Sequence, residues 1–154
     1  MTARGTAMRK VLLPVVVVVA LAFYAYSRSS VPDVSGAPTA NATDSDAVLA
    51  NAFDKQISDI QVEGRGTVVR VLPDDNEGGR HQRFILRLNT GQTLLIAHNI
   101  DLASRIRSLR AGDTVAFSGE YEWSAKGGVV HWTHRDPNGR HQAGWLRHNG
   151  RSFQ

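Results

Sequence analysis

The sequence predicts a mainly β domain: an OB-fold-like barrel of five to six strands, with a short helix between strands three and four, preceded by one transmembrane or signal helix. Three observations lead there. Short segments alternate apolar and polar residues between Gly, Asn and Pro turns. Their order is three strands, a helical pattern, then two strands, and Leu109-Arg-Ala-Gly-Asp-Thr-Val115 supplies the Leu-x-x-Gly-Asp-x-Val step that leads into the fourth strand of such a barrel. An uncharged apolar run precedes all of it.

The length of 154 residues leaves room for one domain beside that run. A hydrophobic content of 42% is enough for a core. There are no cysteines, which excludes disulfides, Cys-ligated zinc, thiol nucleophiles and a lipidated N-terminal Cys. The net charge is only +4 although the pI is near 10.0, and beyond residue 46 the balance is mildly basic. Such an Arg excess is compatible with an anionic ligand but demands none.

Residues 1–10 carry Arg4, Arg9 and Lys10 and read as a basic cytoplasmic N-terminus. Residues 11–26 hold no charge. As a helix they would span roughly 24 Å, slightly short of a ~30 Å hydrocarbon core. Pro14 falls in the first turn, where a missing N–H costs little, and Tyr24 and Tyr26 fall at the far interface. A cleaved signal peptide would share this pattern, with Ala20-Leu-Ala22 as a small-x-small site. Phe23-Tyr-Ala-Tyr26 continues the apolar run past that site, which favours a retained anchor. Either reading delivers the C-terminal part outside the cytoplasmic membrane, periplasmic or secreted if cleavage occurs. Residues 27–45, rich in Ser, Pro, Gly, Ala, Asn and Thr, read as a flexible tether.

The extracytoplasmic domain is expected over residues 46–154. Asp46 is a candidate N-cap for a helix over residues 47–57, with Val48, Leu49, Ala52, Phe53 and Ile57 on one face. Ile60 to Leu72 reads as a strand, with Gly64 and Gly66 suggesting a bulge. Residues 81–88 alternate, placing Phe84, Leu86 and Leu88 opposite His81, Arg83 and Arg87; residues 93–98 return after an Asn-Thr-Gly-Gln turn. Asp101 is expected to cap a short helix over residues 102–109. Residues 113–123 and 129–134 read as strands four and five. The tail forms an extra hairpin about Asn149-Gly150, a turn that requires positive φ.

The runs beginning His81-Gln-Arg-Phe-Ile, Ala97-His-Asn-Ile-Asp-Leu-Ala103 and His131-Trp-Thr-His-Arg-Asp-Pro-Asn-Gly-Arg-His141, with Gly144-Trp145, resemble an uncharacterised bacterial domain-of-unknown-function family over about residues 60 to 154. The resemblance implies a small exported β-barrel domain and carries no activity.

The chain concentrates its unusual residues between Glu120 and His141: three of six histidines, two of three tryptophans and a Pro-Asn-Gly turn. Ligand-binding candidates are His81, His98, Glu120, Glu122, His131 and Trp132. If Leu88 pairs with Thr93, His98 becomes a diagonal neighbour of His81 on one face; sliding the register by one residue separates them. Glu120 and Glu122 lie opposite Tyr121 and Trp123 and are expected to face His131, a pairing that serves acid–base work or merely satisfies a histidine. A turn at Arg135-Asp-Pro-Asn-Gly139 would let His134, Asp136 and His141 converge on a divalent cation such as Zn²⁺. The competing reading makes Asp136 an Asx-turn residue. Trp123, Trp132 and Trp145 read first as packing residues, and no nucleophile elbow or phosphate-binding loop is present.

The expected function is a membrane-tethered extracytoplasmic binding or interaction module, whose partner is an unknown protein or small ligand. No catalytic residue is assigned. One alternative is a metal-dependent hydrolase using the His/Asp cluster. The other is a nucleic-acid-binding OB-fold, disfavoured by Asp74, Asp75 and Glu77 between strands one and two and by the placement of the aromatics on strands four and five.

Overall fold

The computed structural model describes residues 42 to 154. The expected basic N-terminus, the apolar run over 11–26 and most of the tether lie outside the described residues. Among the described residues no helix is long and apolar enough to cross a membrane.

Helix α1, Ala42–Asp54, begins earlier than the sequence suggests and includes Ala42 to Ser45 of the expected tether. Asp46 is therefore not its N-cap. Its side chain is buried, and Oδ2 accepts the Asn89 N–H across the turn between β2 and β3 at 3.1 Å. The helix ends before Ile57 because Gln56 turns left-handed, at φ 54°. There the Ile57 N–H bonds the Ala52 carbonyl and the Gln56 N–H bonds that of Phe53, the paired bonds of a Schellman cap. Leu49 and Ala52 face the core, and Val48 is left exposed.

Seven strands follow: β1 Ile60–Val71, β2 His81–Arg87, β3 Thr93–Asn99, β4 Thr114–Glu122, β5 Val129–His131, β6 Trp145–His148 and β7 Arg151–Phe153. Five of them close a barrel in the order β1-β2-β3-β5-β4 and back to β1, with β3 and β5 parallel and every other pair antiparallel. The long β1 makes closure possible. Ile60 to Thr67 pairs with β4, and Thr67 to Val71 pairs with β2, so one strand serves both sides of the seam. The register shift in β1 falls between Val68 and Arg70, not at the glycines. Gly64 has a different role: a Cβ there would lie 2.6 Å from the Phe117 ring, so the missing side chain makes room for a core aromatic.

The strands obey the two-residue period. Val62, Val68, Phe84, Leu86, Leu94, Ile96, Val115, Phe117, Tyr121 and Val130 fill the barrel, joined by Leu49 and Ala52 of α1 and by Ile106, Leu146 and Phe153. The β6–β7 hairpin forms as expected, with Asn149 and Gly150 both at positive φ.

The expected helix over residues 102–109 does not form; residues 100–112 are turns and irregular chain. The cause lies inside the barrel. Gln82, inward-facing by the same period as Phe84, donates through Nε2 to the Ile106 carbonyl and accepts the Ile106 N–H at Oε1, each at 2.9 Å. An α-helix would need that N–H for the Leu102 carbonyl. Asn99 Oδ1 caps the single turn that does form, accepting from Asp101 and Leu102, while Asp101 itself turns back to the Arg80 backbone and guanidinium.

One edge of β4 pairs with β1. The other is divided: β5 covers Glu120 to Glu122, and β6 covers Ala116 to Ser118. Because both run antiparallel to β4, β5 and β6 lie in line along that edge. Residues 132–144 form an excursion that leaves the sheet after His131 and rejoins it before Trp145.

Candidate binding site on the face of β4 and β5

The excursion begins at Trp132, whose φ of 50° ends β5 and breaks the strand alternation. The break therefore comes three residues earlier than the Arg135-Asp-Pro turn. Its return needs Gly144, where a Cβ would lie 2.1 Å from the Trp132 carbonyl oxygen and 2.5 Å from that of Ser118. The Gly144 N–H bonds the His134 carbonyl at 3.0 Å and closes the loop on itself.

Asp136 builds the interior of the loop. Its Oδ1 accepts the Asn138 N–H at 3.0 Å, and its Oδ2 accepts those of Arg140 and His141 at 2.8 and 3.0 Å. The N–H groups of Asn138 and Arg140, joined by that of His141, hold its carboxyl below the usual carboxylate range. This places the His141 ring flat against Trp132, with centroids 4.0 Å apart and planes 8° from parallel.

His141 Nε2 lies 2.7 Å from Glu120 Oε2, and Nδ1 lies 2.8 Å from the Gln142 carbonyl. Both neighbours are acceptors, so both bonds form only when both ring nitrogens carry protons. Burial works against that charge, but the Glu120 carboxylate and the Gln142 carbonyl outweigh it and raise the pKa above 6.5. His141 is thus held between Glu120 and the Gln142 carbonyl while its ring lies over an indole.

Across the strand pair, Glu120 stands opposite His131. His131 Nε2 is 3.4 Å from Glu120 Oε1 and 3.8 Å from Glu122 Oε1, is shielded from solvent, and has no hydrogen-bond partner. Donor atoms of Glu120, Glu122 and His131 all lie within 4.8 Å of one another. The face therefore presents the two carboxylates of Glu120 and Glu122 and the rings of His131 and His141, with His141 stacked on Trp132.

The set His134, Asp136 and His141 does not converge. Asp136 is occupied by backbone amides, His134 is buried with Nδ1 2.8 Å from the Arg135 carbonyl, and the His141 nitrogens are engaged as above. His81 and His98 do not join the site either. Arg87, not Leu88, pairs with Thr93, so Asn99 stands opposite His81 and Gln82 opposite His98. That one-residue difference puts His81 outside, near the Gly79 carbonyl, and His98 inside.

In the interior, His98 Nδ1 lies 2.9 Å from Thr133 Oγ1 and Nε2 lies 3.3 Å from the Ser104 carbonyl. Burial lowers its pKa to about 4. It ties the irregular 100–112 segment to the start of the excursion. Another buried imidazole, His148, pairs with Asp113 Oδ2 at 2.9 Å, a contact the sequence reading did not single out. Gln82 was also missed, although its alternation with Phe84 and Leu86 already marks it as inward-facing.

Two concavities among the described residues lie away from this cluster. One groove of about 850 Å³ runs between the 100–112 segment and the β6–β7 hairpin, past Arg80, Arg105, Arg107 and Arg151. Arg80 and Arg105 are paired with Asp101 and Asp74. A shallower one of about 500 Å³ lies between α1 and the turns at Gly91 and Lys126.

Together these elements define a small closed β-barrel domain with a polar cluster on one outer face. Over residues 34–154 the chain matches the family described as "Protein of unknown function (DUF3465)", and it belongs to that family. This agrees with the resemblance read from its motifs. No curated protein matches the chain.

Proposed function

We propose that this chain is a membrane-tethered extracytoplasmic OB-like barrel that acts as a binding module, taking a cationic ligand on the outer face of β4 and β5. One observation carries the reading. The Glu120 and Glu122 carboxylates lie on that face with His131 Nε2, their donor atoms all within 4.8 Å of one another, and that nitrogen has no hydrogen-bond partner, beside the Trp132–His141 stack. The barrel order β1-β2-β3-β5-β4 supports the OB-like description. The apolar run over 11–26 and the basic residues before it support the tether and the orientation.

The rival readings have less support. A hydrolase using His134, Asp136 and His141 would need His134 Nδ1, the Asp136 carboxylate and the two His141 nitrogens, all of which already have hydrogen-bond partners. A nucleic-acid site on this face would bring phosphates against Glu120 and Glu122, and Trp132 already stacks on His141.

The test is a titration of the full-length chain, followed by tryptophan fluorescence, with spermidine, an Arg/Lys-rich peptide, zinc chloride and a single-stranded oligonucleotide. At least one cation should bind, weakening with salt and in a Glu120→Gln/Glu122→Gln variant. Binding of the oligonucleotide alone would overturn the reading.

A further inference from the structure

We infer that the cation is a divalent metal ion of the zinc type, coordinated by Glu120, Glu122 and His131. This rests on the cation-binding reading and narrows it to one ligand class. Donor atoms about 2.0–2.2 Å from one tetrahedral ion stand roughly 3.3–3.6 Å apart. The observed separations from His131 Nε2, 3.4 Å to Glu120 Oε1 and 3.8 Å to Glu122 Oε1, are close to that spacing. They are less suited to hydrogen bonding, and His131 Nε2 indeed has no such partner although solvent does not reach it. A polar nitrogen shielded in this way is costly unless something else ligates it.

The supporting framework is that of a metal site. Glu120 and Glu122 are two apart on β4 and project from the same face, and His131 stands directly across the ladder from Glu120. Backbone pairing therefore sets the three donors, not a mobile loop. The second oxygen of Glu120 is held by His141 Nε2 at 2.7 Å, the kind of outer partner that fixes a ligating carboxylate. His141 is in turn fixed by its stack on Trp132 and by the bond from its backbone N–H to Asp136. The excursion thus holds Glu120 in place, and its own His134 and Asp136 supply no ligand.

The experiment uses the full-length chain made without a polyhistidine tag, stripped with chelator and titrated with zinc chloride by calorimetry. The expected result is one zinc per chain. Glu120→Gln, Glu122→Gln and His131→Gln should each abolish stoichiometric binding. His141→Gln should weaken it by about 10–100-fold, the usual effect of losing an outer partner, and His81→Ala should leave it unchanged. Circular dichroism of each variant checks that the barrel persists. A wild-type chain that binds no zinc, or a folded His131→Gln variant that binds as wild type does, overturns the metal assignment. If spermidine or the basic peptide still binds the wild type in a Glu120- and Glu122-dependent way, only the metal assignment fails. If no cation binds, the reading beneath it fails as well.

Discussion

Replacing Gln82 by Met tests why the segment after β3 is not a helix. Met keeps nearly the same volume and is tolerated by a packed interior, so the change removes hydrogen bonds with little effect on packing. Gln82 is 1% exposed, and its amide satisfies both the N–H and the carbonyl of Ile106, whose side chain is also buried. Each of the two backbone groups left without a partner costs about 1–3 kcal/mol, so the loss should total about 2–6 kcal/mol. With a urea dependence of about 2 kcal/mol per molar, the unfolding midpoint should fall by roughly 1–3 M without a change in slope. Urea titration monitored by circular dichroism reads the midpoint, and hydrogen exchange should show the Ile106 amide losing protection. A midpoint and an Ile106 exchange rate both equal to wild type would refute the reasoning.

The pH dependence follows from His98. Its folded pKa of about 4 lies below the ordinary 6.5, so the unfolded chain binds the extra proton between those values. Stability from this group is full above pH 6.5 and is lost as pH falls toward 4, by up to about 3 kcal/mol; an NMR titration of the ring with a midpoint near 6.5 would contradict it. His141 has the opposite sign: its contribution is present below pH 6.5 and fades as pH rises through its elevated folded pKa, so Glu120→Gln should lower that ring's midpoint in the same experiment. Gly144→Ala should lower the Tm and unstack Trp132 from His141, because two backbone carbonyls occupy the space of the new Cβ; an unchanged Tm would show that the excursion can shift. On fractionation the chain should pellet with membranes, and protease added outside the cytoplasmic membrane should release a fragment beginning between Ser27 and Asp46; recovery of intact protein in the cytosol would rule out the proposed compartment.

Where side-chain alternation is strong, the barrel was legible in the sequence. Phe84, Leu86 and Leu88 mark their face without ambiguity, Asn149-Gly150 specifies its own turn, and Glu120, Glu122 and His131 come together as the period of two requires. The failures share a different cause. Apolar spacing in residues 102–109 imitates a helix, but Gln82, twenty-four positions from Ile106, takes the backbone groups a helix would use. The β2–β3 register turned on a single residue in the hairpin, and the side of the sheet taken by His98 turned with it. Asp136 attracted a metal reading because Asp and His lie close in sequence, yet three amides of its own loop hold both of its carboxylate oxygens. His141 reaches Glu120 only because Trp132 leaves the strand early, which no local propensity announces.

The most direct measurement is a crystal structure of the protein grown with zinc, with anomalous differences collected on either side of the zinc absorption edge. The expected result is one peak among Glu120 Oε1, Glu122 Oε1 and His131 Nε2, with His141 still bonded to the other Glu120 oxygen. A peak among His134, Asp136 and His141, or no peak on the β4–β5 face, would contradict it.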